Sequence, residues 1–291
     1  MYNSNTQFSD FLAGELNKYA GVMVPVKAGI LERALVKNVP ARKLHPNPDD
    51  EFCMPSVGPS YSIISDYQKK FAMNRRIKDY SWEDSIMVEK VRPDGYMILN
   101  GHHRWAAALR VGLKWLPVSI VNLPQESDIE KMVLASTHDK RVTLDLDEVV
   151  LCSGEDVAAE KPPAFPYNLI YGHKVRLGIP ALLHFLAKQG YDIWLYSANY
   201  YSYDHIRECF KRYTVKIDGI ITGTARRTKD AGEAKKRTEQ LFRNKYQETL
   251  HIDLTTVLRT FREEGRFEDY EIKENPGGWS AEVMRIVKGL Q

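Results

Sequence analysis

Hydrophobic and polar positions follow mixed helix and strand periods in the first part of the chain. Apolar residues spaced for one helical face predict helices over 8–19 and 63–73, and strong helix formers predict another over 105–111. Short runs rich in β-branched and aromatic residues predict strands. These strands lie at 36–40, 85–90, 96–99 and 117–121. The first part of the chain is therefore predicted to form an α+β domain.

From residue 141 the pattern changes to apolar strands that alternate with helices. The predicted strands are 142–146, 193–196, 217–221 and 250–253. The predicted helices are 175–189, 203–213 and 233–246. Strands that alternate with helices form right-handed βαβ units, so we expect a doubly wound, Rossmann-like parallel sheet. The predicted fold class is thus α/β with two domains.

The length of 291 residues agrees with two domains of ordinary size. We predict an N-terminal helical extension over 1–35 and a first domain over 36–123. A linker over 124–140, which also contains a helix, leads to a second domain over 141–291.

Composition narrows the functional classes. The 41 Lys and Arg nearly balance the 38 Asp and Glu, which gives a formal charge of +3. This charge is low for a protein that binds the phosphates of nucleic acids. The three cysteines are far apart, which argues against a disulfide framework or a cysteine-rich zinc site. The first residues lack the pattern of a secretory signal, and no apolar run reaches the roughly 18 residues of a membrane span. We therefore expect a cytoplasmic protein without a membrane partner.

The segment Asn100-Gly-His-His-Arg104 is the first candidate site. It lies between a predicted strand and a predicted helix, where Gly101 permits a tight turn. The N–H groups of a helix N-terminus attract anions, and the side chains of His102, His103 and Arg104 would add to a phosphate cradle. In an alternative interpretation one histidine caps the helix and Arg104 pairs with a carboxylate.

The segment 96–112, followed by Leu116-Pro-Val118, resembles the ParB/sulfiredoxin fold over roughly residues 36–123. Members of that superfamily bind nucleotide phosphates with a turn that corresponds to Gly101 to Arg104, which implies ATP, ADP or CTP as ligand. His102 stands where sulfiredoxin has its catalytic cysteine, so the resemblance does not extend to sulfinic acid reduction.

The pair His102-His103 is similar to the free serine kinases of the same fold, which use an acidic residue as general base. Asp49, Asp50 and Glu51 are candidates for that residue, and the spacing favours Glu51.

The second candidate site consists of polar residues at the ends of predicted parallel strands. Asp145 and Asp147 follow one strand, and Ser197 and Asp253 each end another. Ligands collect at the carboxyl ends of strands in open α/β sheets, so these four residues converge if their strands are neighbours. In the alternative interpretation the Asp-x-Asp pair only caps the next helix.

This set fits phosphoryl transfer through an aspartyl-phosphate. One carboxylate attacks phosphorus and a second donates and later accepts a proton. A hydroxyl and an ammonium group, from Ser197 and from Lys235 or Lys236, would hold the phosphate oxygens, and Mg²⁺ would neutralise the repulsion between anions.

The same series resembles the haloacid dehalogenase-like phosphatases over roughly residues 141–260. The resemblance implies that Asp145 is the nucleophile, Asp147 the general acid/base and Ser197 the hydroxyl of the second motif. It also implies that Lys235 or Lys236 is the lysine of the third motif, and that Asp145, Asp147 and Asp253 form the Mg²⁺ site. Leu254 departs from the family, since a second acid is expected near this position.

The expected function is therefore phosphate chemistry, with a nucleotide and a phosphorylated substrate as partners. The second domain would be a Mg²⁺-dependent phosphatase, and the first a nucleotide-binding domain that is either a kinase or a sensor. Two alternatives remain open: a ParB-like protein associated with DNA, and a nucleotide-sensing pseudo-enzyme. The DNA alternative depends on one basic cluster, which consists of Arg226, Arg227, Lys229, Lys235, Lys236 and Arg237.

Overall fold

The computed structural model describes residues 4–77, 85–152, 158–224, 231–263, 265–273 and 278–290. Its described part divides into two compact units, the first ending at Asn122 and the second beginning at Leu123. The chain is a mixed α/β protein with one sheet in each unit. No helix among the described residues is long and apolar enough to cross a membrane.

Unit 1 contains short strands and helices around one mixed sheet. Its helices are α1 (Asn5–Tyr19), α2 (Ile30–Leu35), α3 (Tyr61–Ile77) and α4 (His102–Arg110). Its strands are β1 (Val24–Pro25), β2 (Asn38–Pro40), β3 (Leu44–His45), β4 (Ile86–Arg92), β5 (Tyr96–Asn100) and β6 (Trp115–Ile120). The strand order is β2-β6-β4-β5-β3, and β1 pairs with β4. The turn from β5 to α4 thus begins at a strand inside the sheet.

The core of unit 1 is built around the indole of Trp105 on α4. The ring of Phe8 lies 6.2 Å from that of Trp105, and both side chains are almost fully buried. Small residues follow Trp105 along α4, which lets the helix pack closely on its neighbours. Phe8 belongs to α1, so the segment predicted as an N-terminal extension supplies part of this core.

Unit 2 contains the longer sheet. Its helices are α5 (Glu126–Leu134), α6 (Ile179–Lys188), α7 (Tyr203–Lys211), α8 (Ala231–Lys245) and α9 (Trp279–Lys288). Its strands are β7 (Lys140–Asp145), β8 (Tyr191–Tyr196), β9 (Gly219–Ile221), β10 (Glu248–Ile252), β11 (Thr256–Phe261) and β12 (Phe267–Glu271). The order is β12-β11-β10-β7-β8-β9, in which β10, β7, β8 and β9 are parallel and β11 and β12 are antiparallel.

Helices cover both faces of the parallel strands. One face presents aliphatic residues such as Leu144 and Leu195, which belong to the same core as Leu182 of α6 and Val283 of α9. On the other face, Trp194 of β8 meets the ring of Phe242 from α8 edge to face at 4.7 Å. This packing fixes the sheet and aligns the carboxyl ends of β10, β7 and β8.

The strands predicted at 142–146, 193–196, 217–221 and 250–253 are present as β7 to β10. The helix predicted over 175–189 begins only at Ile179, because Gly178 has φ +85° and residues 175 and 176 form β-bridges. Beyond residue 253 the sequence analysis assigned no elements, whereas the structure has β11, β12 and α9. The antiparallel end of the sheet is therefore an addition to the predicted parallel arrangement.

Candidate functional sites

In unit 1, a glycine turn joins β5 to α4. Gly101 is the N-cap of α4 and has a left-handed conformation, with φ +105°. A Cβ atom at this position would lie 3.1 Å from Nη2 of Arg104 and 3.2 Å from Cγ1 of Ile86. No side-chain cap bonds to the first turn of α4, and such helix N-termini favour anions.

Both histidines of the predicted cradle hold the loop in front of α4. Nε2 of His102 accepts a hydrogen bond from the backbone N–H of Asn47, and Nε2 of His103 accepts one from the backbone N–H of Ser60, each at 3.1 Å. The ring of Phe52 packs against both imidazoles. Burial lowers the pKa of His103, so its imidazole favours the neutral form. Both imidazoles thus contact the backbone of the loop in front of α4.

Arg104 folds back over the same turn. Its Nη1 donates to the carbonyl oxygen of Ser85 at 3.1 Å, and its Nη2 donates to Oδ1 of Asn100 at 3.2 Å. Asn100 and Arg104 therefore lie together beside Gly101. Both of these bonds hold the guanidinium group beside the turn.

Of the three acids in the loop before α4, Asp50 lies beside His102. The Asp50 carboxylate lies 3.5 Å from Nδ1 of His102 and caps the short 3₁₀ turn Glu51–Cys53. Glu51 itself is exposed. Burial raises the pKa of the Cys53 thiol to about 12, so this cysteine is not a thiolate nucleophile at neutral pH. Asp50 is the better candidate for a base among the three acids of the loop.

In unit 2, Asp145 ends β7 and starts a one-turn π-helix, Leu146–Val150. Its Oδ1 accepts hydrogen bonds from the backbone N–H groups of Asp147 and Glu148, both at 2.8 Å. The capping interpretation is thus correct for this oxygen. Oδ2 of the half-buried Asp145 makes no hydrogen bond within the described part of the chain. One carboxylate oxygen is therefore fixed and the other is available.

Asp147 is held by two hydroxyl groups. Ser197 donates to Oδ2 at 2.6 Å and Tyr201 donates to Oδ1 at 2.7 Å. Burial and the neighbouring Asp147 raise the pKa of the Tyr201 hydroxyl, so it remains a donor. Ser197 was predicted to hold phosphate, but its hydroxyl is buried and points to Asp147. The structure thus brings Asp147 and Ser197 together as predicted, with an additional partner in Tyr201.

Asp253 follows β10, the parallel neighbour of β7. Leu144 is opposite Ile252 in the register, so Asp145 and Asp253 leave the sheet side by side. Asp253 is exposed, and its Oδ1 accepts the backbone N–H of Leu254 at 2.6 Å.

Asp145 and Asp253 are the candidate ligands for a metal ion. The described residues hold no group of three or more His, Cys, Asp or Glu that could bind a metal ion. Mg²⁺, however, is commonly bound by one or two carboxylates together with water and substrate phosphate. Asp145 and Asp253 fit that requirement, whereas both oxygens of Asp147 already accept hydroxyl bonds.

The lysines are the weakest part of the predicted site. Lys235 and Lys236 are exposed on α8, and among the described contacts neither has an ion pair with Asp145 or Asp147. Lys235 lies 3.8 Å from Glu239, and Lys236 lines a cavity on the face of the sheet. Of the basic cluster, Arg226, Arg227 and Lys229 lie outside the described residues.

The sequence analysis did not identify two histidines near Asp147, which are His173 and His205. The ring of His173 lies 5.5 Å from that of Tyr201 and 5.8 Å from that of His205. Burial lowers the pKa of His173, and the charge of Asp147 opposes that shift. His173 belongs to an irregular segment that precedes the β-bridge residues 175 and 176, so no periodic pattern marked it. The rings of His173, His205 and Tyr201 thus form an aromatic cluster beside Asp147.

Comparison with protein families identifies part of the chain. Residues 66–137 match the ParB N-terminal domain. The matched segment begins within α3 and includes the Gly101 turn, α4 and β6. This part of the chain is therefore ParB-like, in agreement with the resemblance of the segment 96–112. Comparison with curated proteins gives no match.

Proposed function

We propose that unit 2 is a phosphatase domain of the haloacid dehalogenase type, which hydrolyses a phosphate monoester through Asp145. The observation that carries this proposal is the placement of three acids at neighbouring parallel strand ends. Asp145 and Asp147 follow β7, and Asp253 follows the adjacent β10. Ligand sites of open α/β sheets lie at this edge, and Asp145 has one carboxylate oxygen available.

The proposed reaction has two steps. In the first step Oδ2 of Asp145 attacks phosphorus, the bond between phosphorus and the ester oxygen breaks, and the leaving oxygen takes a proton from Asp147. In the second step a water molecule attacks phosphorus and gives a proton to Asp147. The bond between phosphorus and Oδ2 of Asp145 breaks, which releases phosphate and restores the Asp145 carboxylate. Ser197 and Tyr201 orient Asp147 in both steps through their hydroxyl bonds.

Mg²⁺ is part of this proposal through Asp145 and Asp253. The ion would offset the repulsion between the Asp145 carboxylate and the phosphate dianion. Because Leu254 stands beside Asp253 where the family has another acid, we expect weak Mg²⁺ affinity. If that affinity is lost altogether, unit 2 is a pseudo-enzyme, which is the second candidate for this unit.

For unit 1 we propose nucleotide binding at the turn from Asn100 to Arg104. Gly101 leaves the first turn of α4 without a side-chain cap, and Arg104 adds a positive charge beside it. The ParB-like match covers the same turn. A kinase activity would use Asp50 as base, since its carboxylate lies in front of α4 beside His102.

Hydrolysis of p-nitrophenyl phosphate by the full chain tests the phosphatase proposal. We expect phosphate release that depends on Mg²⁺ and falls at least 100-fold in Asp145→Asn. Asp269→Asn makes the same chemical change at an exposed position of β12 and should leave the rate unchanged. Activity that survives Asp145→Asn contradicts the assigned nucleophile. No activity on any of a panel of phosphomonoesters supports the pseudo-enzyme.

Calorimetry with ATP, ADP and CTP tests the proposal for unit 1. We expect binding that Arg104→Ala weakens at least tenfold. Arg42→Ala removes a guanidinium elsewhere in the same unit and serves as the matched control. If none of these nucleotides binds, the proposal for the turn is wrong. A gel shift with duplex DNA at several salt concentrations tests the DNA-associated alternative, which requires salt-dependent binding.

A further inference from the structure

β7 and β10 are unusual for buried parallel strands because only one of their faces is apolar. Val142, Leu144, Leu250 and Ile252 form the apolar face and are at most 3% exposed. Parallel strands covered on both sides are normally hydrophobic on both faces. On these two strands the opposite face is polar. It carries Arg141 opposite Thr249, and Thr143 opposite His251. A polar face beside α8 favours a surface that binds a ligand in addition to packing against the helix.

Arg141 is the main charged group of that face. Its Nε donates to Oγ1 of Thr249 at 2.9 Å and its Nη1 donates to the hydroxyl of Tyr196 at 3.3 Å. The guanidinium lies over the ring of Phe242, 4.1 Å from its centroid. No carboxylate within the described part of the chain forms an ion pair with it. Neutral groups therefore hold a half-buried positive charge in one orientation.

A cavity of about 550 Å³ opens beside this guanidinium, between α8 and strands β10 and β11. Its volume lies in the range of small-molecule sites. Its charged lining residues are Arg141, Lys236, Arg243, Arg262 and Glu239. The single acid among them, Glu239, lies 3.8 Å from Lys235 on the same helix. The cavity thus has a clear excess of positive charge.

The hydroxyl and aromatic groups of the cavity suit an anionic organic ligand. Thr249 and Thr260 are the threonines of the lining, and Phe261 adds a half-buried ring. Guanidinium groups bind phosphate in a planar, two-pronged geometry, and hydroxyl groups complete such contacts.

We propose that this cavity binds a small phosphorylated molecule, with its phosphate on Arg141 and Arg262. The site is independent of the phosphatase proposal. Arg141 lies at the amino-terminal end of β7, whereas Asp145 lies at its carboxyl end.

Titration calorimetry of the full chain with inorganic phosphate, pyrophosphate and AMP, in the presence of a chelator, tests this site. We expect binding in the millimolar range or tighter, which Arg141→Gln weakens at least tenfold and Arg262→Gln at least threefold. Arg212→Gln, at the C-cap of α7 and outside the cavity, should bind as the wild type does. The comparison of phosphate with AMP decides whether a free phosphate or an organic phosphate is the better ligand.

Three outcomes would overturn the proposal. The first is the absence of heat with all ligands up to 10 mM, and the second is equal binding by the wild type and both variants. The third is tight binding of a single-stranded oligonucleotide that depends on Arg141, with no binding of the small ligands, since the cavity would then belong to a nucleic-acid surface. Arg262 is exposed, so Arg262→Gln decides the question even if Arg141→Gln does not fold.

Discussion

The substitution His251→Gln isolates a pH-dependent contribution to the stability of unit 2. The imidazole of His251 lies between two hydroxyl groups, with Nδ1 2.8 Å from Oγ1 of Thr143 and Nε2 3.3 Å from Oγ1 of Thr260. Burial, together with the positive charge of Arg141, lowers the pKa of His251 to about 4. Glutamine retains both donor and acceptor groups but does not titrate.

The sign of the effect follows from the two protonation states. The unfolded chain restores the ordinary pKa of 6.5, so it binds a proton below that pH while the folded chain does not. The stability that neutral His251 supplies is complete above about pH 6.5 and is lost as the pH falls towards 4. Between pH 8 and pH 5 this lowers the free energy of unfolding by about 1–2 kcal/mol, with the lower value allowing for partial exposure.

Urea unfolding of the full chain at pH 8 and pH 5 measures this loss. Hydrogen exchange of peptides from β7 and β10 identifies which transition belongs to unit 2. At pH 8 the histidine is neutral in both states, so the difference between wild type and His251→Gln reports packing alone. At pH 5 the wild type should have lost about 1–2 kcal/mol more than the variant.

Equal losses in the two proteins, or a His251 pKa of 6 or higher in an NMR titration, would refute the reasoning. The same titration separates the two causes of the shift. Arg141→Gln removes the neighbouring charge and leaves burial, so the pKa of His251 should rise but stay below 6.5.

Three further substitutions test local packing and the turn of unit 1. Gly219→Ala places a Cβ about 2.1 Å from the ring of Trp194 and should lower the stability of unit 2 by about 1–3 kcal/mol, and an unchanged melting temperature would contradict this close packing. Phe8→Ala should cost unit 1 about 3–5 kcal/mol in urea unfolding, whereas a loss below about 1 kcal/mol would mean that α1 is only an appendage. Gly101→Ala forces a side chain into φ +105° beside Arg104 and should weaken nucleotide binding at least tenfold in calorimetry, while Gly14→Ala, which has open space on α1, should not.

The parallel strands of unit 2 were predictable because each is a short segment rich in apolar residues that precedes or follows a helical pattern. The segment Val142 to Leu146 is one example, and the other parallel strands follow from the alternation of strands and helices. The antiparallel strands β11 and β12 were not predictable in the same way, since threonine, arginine and acidic residues interrupt their apolar residues after at most two positions. The order of neighbours around β7 is a tertiary property that no local pattern carries.

The candidate sites were predictable to a different extent. Asp145 and Asp147 stand at a strand end, and this local position is visible in the sequence. The bond from Ser197 to Asp147 depends on the pairing of β7 with β8, which neighbouring residues along the chain do not encode. In unit 1 the preference for Glu51 over Asp50 rested on spacing alone. The 3₁₀ turn exposes Glu51 and turns Asp50 towards His102.

The polar face of β7 carries a signal of ligand binding in its residue pattern. The strand reads Lys-Arg-Val-Thr-Leu-Asp from 140 to 145, so its polar and apolar residues alternate as in a half-exposed antiparallel strand. Its central position in a parallel sheet requires cover on both faces. The alternating pattern and the central position are compatible if the polar face borders a cavity. Such a cavity lies beside Arg141. Since β7 also ends in Asp145, one strand carries candidate phosphate contacts at both of its ends.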